Sequence, residues 1–129
     1  MQWTASGGFT EAGVEPWLPM GDASACNVAA QRDDPESMLH LCRDLIALRR
    51  DRRDLHAGAY EGLESDEQVW AWRRGERTVV AFHHGESPVE VALPRGRVLI
   101  GTDRGRDGET VDGPIRLEPW EAIVLEESD

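Results

Sequence analysis

The sequence QVWAWRRGERTVVAFH, residues 68–83, decides the fold class of this chain. Its two halves, residues 68–73 and 78–83, are rich in β-branched and aromatic side chains, and Arg74-Gly75-Glu76-Arg77 separates them. A polar turn that contains glycine, placed between two such runs, is the sequence signature of an antiparallel hairpin. The stretch therefore predicts two neighbouring strands joined by a short turn.

Five more short runs with strand composition lie on either side of this hairpin. They cover residues 59–63, 89–93, 97–101, 115–117 and 120–125. A polar, glycine-rich stretch, residues 102–113, lies between the third and fourth of these runs. Seven short strands separated by turn residues are typical of an antiparallel sandwich. We therefore expect a mainly β fold, with a C-terminal antiparallel β-sandwich domain at residues 55–129.

One long segment before the strands, residues 34–54, has helical periodicity. Asp34 is a good N-cap, Pro35 suits the first helical position, and Glu36 favours the positive end of the helix dipole. One side of the helix would carry the apolar residues Met38, Leu39, Leu41, Cys42, Leu45, Ile46 and Leu48. Arg49 falls inside this stripe, so either it snorkels to solvent or it meets a carboxylate. The pattern predicts one amphipathic helix.

Residues 1–33 show neither helical nor strand periodicity, and an extended loop is predicted there. The aromatic residues Trp3, Phe9 and Trp17 are spaced among its glycines and prolines. Long loops are unusual inside a compact domain and tend to be functional. The aromatic side chains of this loop therefore need a surface on which to pack.

The charge and cysteine content narrow the partners and the compartment. The chain has 25 Asp and Glu against 14 basic residues, a formal net charge of −11, which repels nucleic acid and anionic membrane surfaces. Neither partner is expected. Cys26 and Cys42 lack CxxC spacing, and two buried thiols in a reducing cytoplasm are favoured over a disulfide. No segment has the composition of a signal peptide or a membrane span, so a cytoplasmic location is expected.

Carboxylates are the first candidates for catalysis, because paired acids carry out glycoside hydrolysis and general acid–base work. Clusters of Asp and Glu occur at residues 33–34, 64–67, 103–112 and 126–127. Each cluster lies at a helix cap, a turn or the terminus, where solvated surface is the favoured interpretation. The residues alone therefore predict no catalytic side chain.

The histidines and glycines do not form a metal or cofactor motif. His83 and His84 are adjacent, and neighbouring residues on a strand point to opposite faces, so they cannot easily share an ion. We interpret them as surface or strand-end histidines. No glycine motif that cradles phosphate opens a helix, and no Ser or Cys lies in a nucleophile elbow. Neither a metal nor a cofactor is predicted.

Trp70 and Trp72 lie two residues apart on a predicted strand and therefore share a face. Two interpretations of that face remain open. Neighbouring indoles can form a platform for sugar rings. Alternatively the face is the core of the sandwich, which would place Val69 and Ala71 outside, and this is the favoured interpretation.

Several spaced motifs follow one another in a recognisable order along the chain. In the first half they read Met1-Gln2-Trp3, Gly8-Phe9-Thr10, Pro16-Trp17-Leu18-Pro19, Asn27-Val28-Ala29-Ala30-Gln31, Asp34-Pro35-Glu36-Ser37 and Arg43-Asp44-Leu45-Ile46-Ala47-Leu48-Arg49-Arg50. In the second half they read Gly58-Ala59-Tyr60, the hairpin, and Leu117-Glu118-Pro119-Trp120-Glu121-Ala122. This order resembles the α-glucosidases of glycoside hydrolase family 13, within the α-amylase superfamily, which include oligo-1,6-glucosidases and enzymes that form trehalulose and isomaltulose. The resemblance covers essentially the whole chain.

The resemblance implies that the catalytic machinery lies elsewhere. In that family a (β/α)₈ barrel carries a nucleophile Asp, an acid/base Glu and a third Asp, all N-terminal to the segment that Met1-Gln2-Trp3 matches. No carboxylate of this chain matches one of those positions. The resemblance therefore implies the loop after the last barrel strand (residues 1–33), the last barrel helix (34–54) and the C-terminal β domain (55–129).

Gln2 and Trp3 match a motif near the active-site mouth of the family, so they are the expected remnants of a substrate cleft. The chain departs from the motif nearby, because Thr4 replaces the usual Asp and Gly7-Gly8 stands where Asn-Ala is common. We expect a non-catalytic C-terminal portion of an α-glucosidase-like enzyme, inactive alone, which caps the barrel.

Two other functions remain open. The chain could be a free-standing carbohydrate-binding module that takes α-glucoside sugars on Trp70, Trp72 or Trp120, or a partner that docks onto a separate barrel chain. An apolar helix stripe without its barrel would expose a large patch, and burial at about 25 cal/mol per Å² would favour association. We therefore expect a two-fold homodimer through the apolar face of the helix.

Overall fold

The computed structural model describes residues 2–8, 10–11 and 13–128. The motif residues Met1 and Phe9 lie outside the described residues. The chain forms two compact units, Met1–Ile46 and Ala47–Asp129. This boundary lies inside the predicted helix and differs from the predicted divisions at residues 33/34 and 54/55.

The first unit contains a helix that the sequence pattern did not predict, α1 at Val28–Asp33. The extended-loop prediction for residues 1–33 is wrong over these six residues. Asn27 supplies the missing signal, because its side chain accepts a hydrogen bond from the Ala30 N–H at 2.9 Å and caps the helix. A six-residue helix is too short for its periodicity to stand out.

The predicted helix over residues 34–54 starts later than expected, since α2 covers Met38–Asp51. Asp34 is the C-cap of α1 rather than the N-cap of α2, and its backbone is extended at φ −108° and ψ 106°. Pro35 disfavours helical geometry in the residue before it. Ser37, the residue directly before α2, takes the capping position instead, because its carbonyl accepts the first helical hydrogen bond, from the Leu41 N–H at 3.0 Å.

The same predicted helix also ends early, because Arg52 is extended and separates α2 from α3 at Arg53–Ala57. Arg49 donates from Nη1 to the Leu55 carbonyl at 2.8 Å. Arg49 is exposed, as the snorkelling alternative predicted, whereas the carboxylate alternative is wrong because the partner of Arg49 is a backbone carbonyl at the bend between the two helices.

The apolar stripe of α2 is largely open. Leu41 is buried, whereas Met38, Leu45 and Ile46 are exposed. Cys42 on the same stripe and Cys26 are free and exposed, so the prediction of two buried thiols is wrong. Among the described residues, no helix has the length and apolar composition needed to cross a bilayer.

The described residues of the second unit include eight strands in addition to α3. They are β1 Tyr60–Leu63, β2 Val69–Arg74, β3 Thr78–His83, β4 Val89–Ala92, β5 Gly96–Gly101, β6 Thr110–Val111, β7 Pro114–Leu117 and β8 Ala122–Glu127. A six-stranded sheet has the order β1-β2-β3-β8-β5-β6, and β4 pairs with β7 in a second sheet. Every strand pair is antiparallel. Seven of the eight strands match predicted runs, and only the two-residue β6 lies inside the predicted polar loop.

The core lies between the two sheets, which confirms the antiparallel sandwich. The six-stranded sheet contributes Val69, Ala71, Val79, Ala81, Val98, Val111, Ile123 and Leu125, and the second sheet contributes Val91, Ile115 and Leu117. Trp70 is 57% exposed and lies on the opposite face of β2. The favoured core interpretation of Trp70 and Trp72 is therefore wrong, because the small side chains of Val69 and Ala71 fit the space between the sheets.

The hairpin between β2 and β3 is confirmed, and α3 fixes its turn. Gly75 has φ +63°, which a residue with a Cβ rarely adopts. Asp54 in α3 accepts hydrogen bonds from the Arg77 N–H at 3.2 Å and the Thr78 hydroxyl at 3.3 Å. A Cβ at position 75 would collide with the Asp54 carboxylate. The turn sequence is therefore set by both backbone conformation and a close neighbour.

An ion pair whose contribution to stability depends on pH joins Arg52, directly after α2, to Glu126 in β8. Arg52 Nη1 donates to Glu126 Oε1 at 2.7 Å, and this hydrogen bond, the largest cause, lowers the pKa of Glu126 from its ordinary value of 4.5. A carboxylate whose pKa is lower in the folded state than in the unfolded state stabilises the fold at pH values above its unfolded-state pKa. This stabilisation is lost as the pH falls through the folded-state pKa. We expect Glu126→Gln to flatten the loss of stability below about pH 4.5.

Urea midpoints measured across the acid range test this expectation. Glu86→Gln, at an exposed position, is the matched control. The same acid slope in wild type and Glu126→Gln would contradict the role assigned to the pair.

Candidate functional site

The predicted cleft residues Gln2 and Trp3 support α1 through their backbones. The Gln2 carbonyl accepts the Val28 N–H at 3.0 Å, and the Trp3 carbonyl accepts the Ala29 N–H at 3.0 Å. Both donors lie in the first turn of α1, where N–H groups lack partners within the helix. The structure therefore shows a capping role for these two residues.

Gln2 also lines two cavities in the first unit. One, of about 580 Å³, is otherwise lined by Thr10 and residues 14–20, and most of these side chains are apolar. The other, of about 250 Å³, includes Cys26 and Cys42 in its lining. The larger cavity has the size of a small-molecule pocket, and Glu15 is the acidic residue in its lining.

Another acid of this unit, Asp22, is held in a turn by hydrogen bonds. Asp22 accepts hydrogen bonds from the Ser24 hydroxyl at 2.6 Å and from the N–H groups of Ser24 and Ala25. The hydroxyl bond, the largest cause, and the two backbone bonds lower the pKa of Asp22. Its carboxylate therefore stays ionised and does not have the raised pKa of a general acid.

An exposed cluster of rings lies on the outer face of the six-stranded sheet. We call it the aromatic face, and it consists of Tyr60, Trp70, Trp72, Phe82, His84 and Trp120. The Trp70 and Trp72 ring centroids are 5.0 Å apart with planes 46° apart, and Trp70 Nε1 donates to the Tyr60 hydroxyl at 3.2 Å. Phe82 lies 6.2 Å from His84 and 6.3 Å from Trp120, centroid to centroid. Sequence reasoning paired the two tryptophans but did not join the other four rings to them.

A buried carboxylate that sequence reasoning missed is Glu121. Arg106 Nη1 donates to Glu121 Oε1 at 2.6 Å, and the Glu118 N–H donates to Glu121 Oε2 at 2.7 Å. The pKa of Arg106 is raised, mainly by its hydrogen bond to Glu109 and further by Glu121, against the effect of burial. Arg106 is thus held as a cation between two carboxylates. The only signal was that Glu121 is one of the two glutamates in the motif at residues 117–122.

The acidic clusters at residues 103–112 and 126–127 also have structural partners. Asp103 caps a short 3₁₀ helix at Arg104–Arg106 by accepting the Gly105 N–H. Asp107 accepts the Gly101 N–H at 2.9 Å and pairs with Arg104 at 2.9 Å. Glu127 pairs with Arg73 at 2.8 Å. These carboxylates therefore accept hydrogen bonds from defined protein groups, whereas the prediction described them only as solvated surface residues.

The two adjacent histidines point to opposite faces, as predicted, but only one is at the surface. His84 is exposed, whereas His83 is fully buried and its Nδ1 lies 2.8 Å from the Glu118 carbonyl. His83 is the last residue of β3, which agrees with the strand-end interpretation, whereas the surface interpretation is wrong for His83 because its side of β3 faces the interior. Within the described part of the chain, no three His, Cys, Asp or Glu side chains are grouped as metal ligands.

Comparison with known proteins relates this geometry to a family. No family model matches the chain. An α-glucosidase of Schizosaccharomyces pombe is 30% identical over 97% of this chain, and an oligo-1,6-glucosidase of Parageobacillus thermoglucosidasius is 32% identical over 96%. The chain is homologous to the C-terminal part of glycoside hydrolase family 13 α-glucosidases.

The glucosidase-related chain spans about a quarter of these relatives, 23% of the first and 24% of the second. The amino acid transporter heavy chain SLC3A1 of Mus musculus is 32% identical over 99% of this chain, which spans 21% of it. The crystal structure of the trehalulose synthase of Pseudomonas mesoacidophila MX-45 superposes with a TM-score of 0.83 at 26% identity. The match covers 97% of this chain and 24% of that one. The mainly β fold is therefore that of the C-terminal domain of these enzymes.

Proposed function

We propose that these 129 residues serve as the non-catalytic C-terminal portion of an α-glucosidase-like glycoside hydrolase and do not hydrolyse glycosides alone. The observation that carries this proposal is the match over 96–97% of the chain to only 23–24% of two glucosidases. The mouse transporter heavy chain, which is named for transport rather than for glycoside hydrolysis, also matches over 99% of this chain, and this supports a role for the region apart from catalysis.

The carboxylate chemistry supports the same role. A glycosidase commonly needs two carboxyl groups that flank the scissile bond, roughly 5–9.5 Å apart, one of them with a raised pKa. Glu121, Asp107 and Glu127 are held by arginines or backbone N–H groups. The carboxyl pKa shifts of Asp22 and Glu126 are downward, which suits structural anions better than a proton donor.

The proposed place of action is the cytoplasm, where free thiols persist. Cys26 and Cys42 form no disulfide with each other. The proposed partner is a barrel of the glucosidase type or a second copy of this chain. Met38, Leu45 and Ile46 offer the apolar surface for either contact.

We expect no hydrolysis of a chromogenic α-glucoside by the purified chain above the buffer rate. The oligo-1,6-glucosidase of Parageobacillus thermoglucosidasius is the positive control. Turnover that copurifies with the chain and is abolished by Glu15→Gln, the acid of the larger cavity, would contradict the proposal.

Self-association through α2 is a separate expectation. Light scattering should report a dimer, and Ile46→Asp should shift it to monomer because a charge would be buried in the contact. Arg50→Asp, at an exposed polar position of α2, is the matched control and should leave the dimer intact. A stable monomer for the wild-type chain would contradict this proposal without affecting the catalytic one.

A further inference from the structure

We propose that the aromatic face is a binding surface for short neutral gluco-oligosaccharides. Three of its rings, Tyr60, Trp70 and Trp120, are open to solvent at 56%, 57% and 61% exposure. All three belong to a sandwich whose hydrophobic core is formed by other side chains. Large aromatic residues left open in this way on one patch mark an interaction site.

The backbone at Trp120 is an independent sign of function. Trp120 has φ +62° and is the only non-glycine residue with positive φ in the described chain. It follows Pro119 in a turn closed by the Glu121 N–H and the Glu118 carbonyl at 3.1 Å, a position that usually takes glycine. Such strain persists where the surroundings hold it and is common at functional sites. Here the carboxylate of the buried Glu121 holds the turn by accepting the Glu118 N–H, and the Trp120 ring at the turn is open to solvent.

The rings are also held in place before any ligand arrives. Trp70 packs against Trp72, and its indole N–H is bound to the Tyr60 hydroxyl. Trp120 lies beside Phe82, which is the direct cross-strand neighbour of Trp70. Preorganised rings lose little conformational freedom on binding. The face therefore offers fixed apolar planes with polar atoms at their edges.

The chemistry of the face selects the class of ligand. None of its six residues is an acid, a lysine or an arginine, although the chain as a whole carries a net charge of −11. An uncharged ligand with apolar C–H faces and hydroxyl edges suits rings such as Tyr and Trp, which combine an apolar body with a polar tip. Sugars have this character. Arg74 pairs with Tyr60 and lies on the same side of β2 as the two tryptophans, so it adds a hydrogen-bond donor at one edge of the face.

The size of the face favours a small ligand over a protein. Three rings of 150–250 Å² each, exposed by a little over half, leave about 300–400 Å² open. A stable protein interface needs about 800 Å² per partner. The rings extend from β1 to the start of β8, three strand spacings or about 14 Å, which suits an oligosaccharide better than a single sugar. The choice of α-linked glucose units rests on the proposed function, whereas the neutral sugar class rests on the face alone.

Indole fluorescence of the intact chain tests the proposal, with maltotriose and isomaltotriose as the probes and calorimetry as a second readout. We expect a saturable response in the wild type and an affinity at least tenfold weaker in Trp70→Ala and Trp120→Ala. Arg50→Ala, at an exposed polar position of α2, is the control and should bind as the wild type does. Because the replaced side chains are exposed, cooperative melting should be retained in all three variants.

Three results would overturn the proposal. One is the absence of a saturable response to both sugars at concentrations on the order of tens of millimolar, beyond the range of useful millimolar affinity. Another is equal weakening by Arg50→Ala. A third is that sugars have no effect while Trp70→Ala converts a dimer to a monomer, which would make the face a protein contact. The hydrolysis assay is independent of all three, so failure here leaves the non-catalytic proposal standing.

Discussion

Arg106→Met is expected to lower the free energy of unfolding of the β-sandwich by about 3–5 kcal/mol, because it leaves a buried carboxylate without its cation. Glu121 is only 5% exposed and receives Arg106 Nη1 at 2.6 Å. Arg106 also donates to Glu109 and to the Arg116 carbonyl, so one side chain connects three segments of the domain. Urea unfolding followed by far-UV circular dichroism measures the loss.

Two variants separate the buried pair from an ordinary surface charge. Arg116→Met removes an arginine that pairs with Glu118 in solvent and should change the free energy of unfolding far less than Arg106→Met does. Adding Glu121→Gln to Arg106→Met removes the unpaired charge and should recover part of the loss, since contacting residues are not additive. Equal stabilities for Arg106→Met and Arg116→Met would contradict the role given to Glu121.

Leu117→Ala is expected to destabilise the same domain by about 2–5 kcal/mol, because it opens a cavity between the two sheets. Leu117 is fully buried on β7 and faces the residues of the six-stranded sheet that form the core. The two-stranded sheet has few other large side chains with which to close the gap. A lower urea midpoint with an unchanged m-value would report this loss.

Leu99→Ala on β5 is the matched control, because Leu99 is only half-buried. The same truncation there should cost clearly less than at position 117. If the two variants unfolded at the same urea concentration, the core would not lie between the sheets as described.

The strand pattern predicted most of the second unit because it depends on local signals. Turn residues and alternating side chains located seven of eight strands and the hairpin around Gly75. Which face of β2 is buried could not be decided in this way, because Trp70 and Val69 are both apolar. The buried face is determined by packing against the second sheet. There Val69 and Ala71 join Leu117 in the core, and the two larger indoles lie on the other face.

The helices and the candidate site depended more on contacts between distant residues. Pro35 suggested a helix start, yet its effect on Asp34 moved the start to Met38. The capping of α1 by the carbonyls of Gln2 and Trp3 joins segments about 25 residues apart, and backbone carbonyls carry no sequence signal. Glu121 was missed for the same reason, since the Arg106 that binds it is 15 residues away.

A chimera tests the central claim most directly. In it, the matching C-terminal quarter of the Parageobacillus thermoglucosidasius oligo-1,6-glucosidase is replaced by this chain, and the same enzyme lacking that quarter is the control. If the chain is the non-catalytic C-terminal portion of such an enzyme, the chimera should hydrolyse a chromogenic α-glucoside much faster than the shortened control. A chimera that melts cooperatively as one folded protein, yet is no more active than the shortened control, would contradict the account.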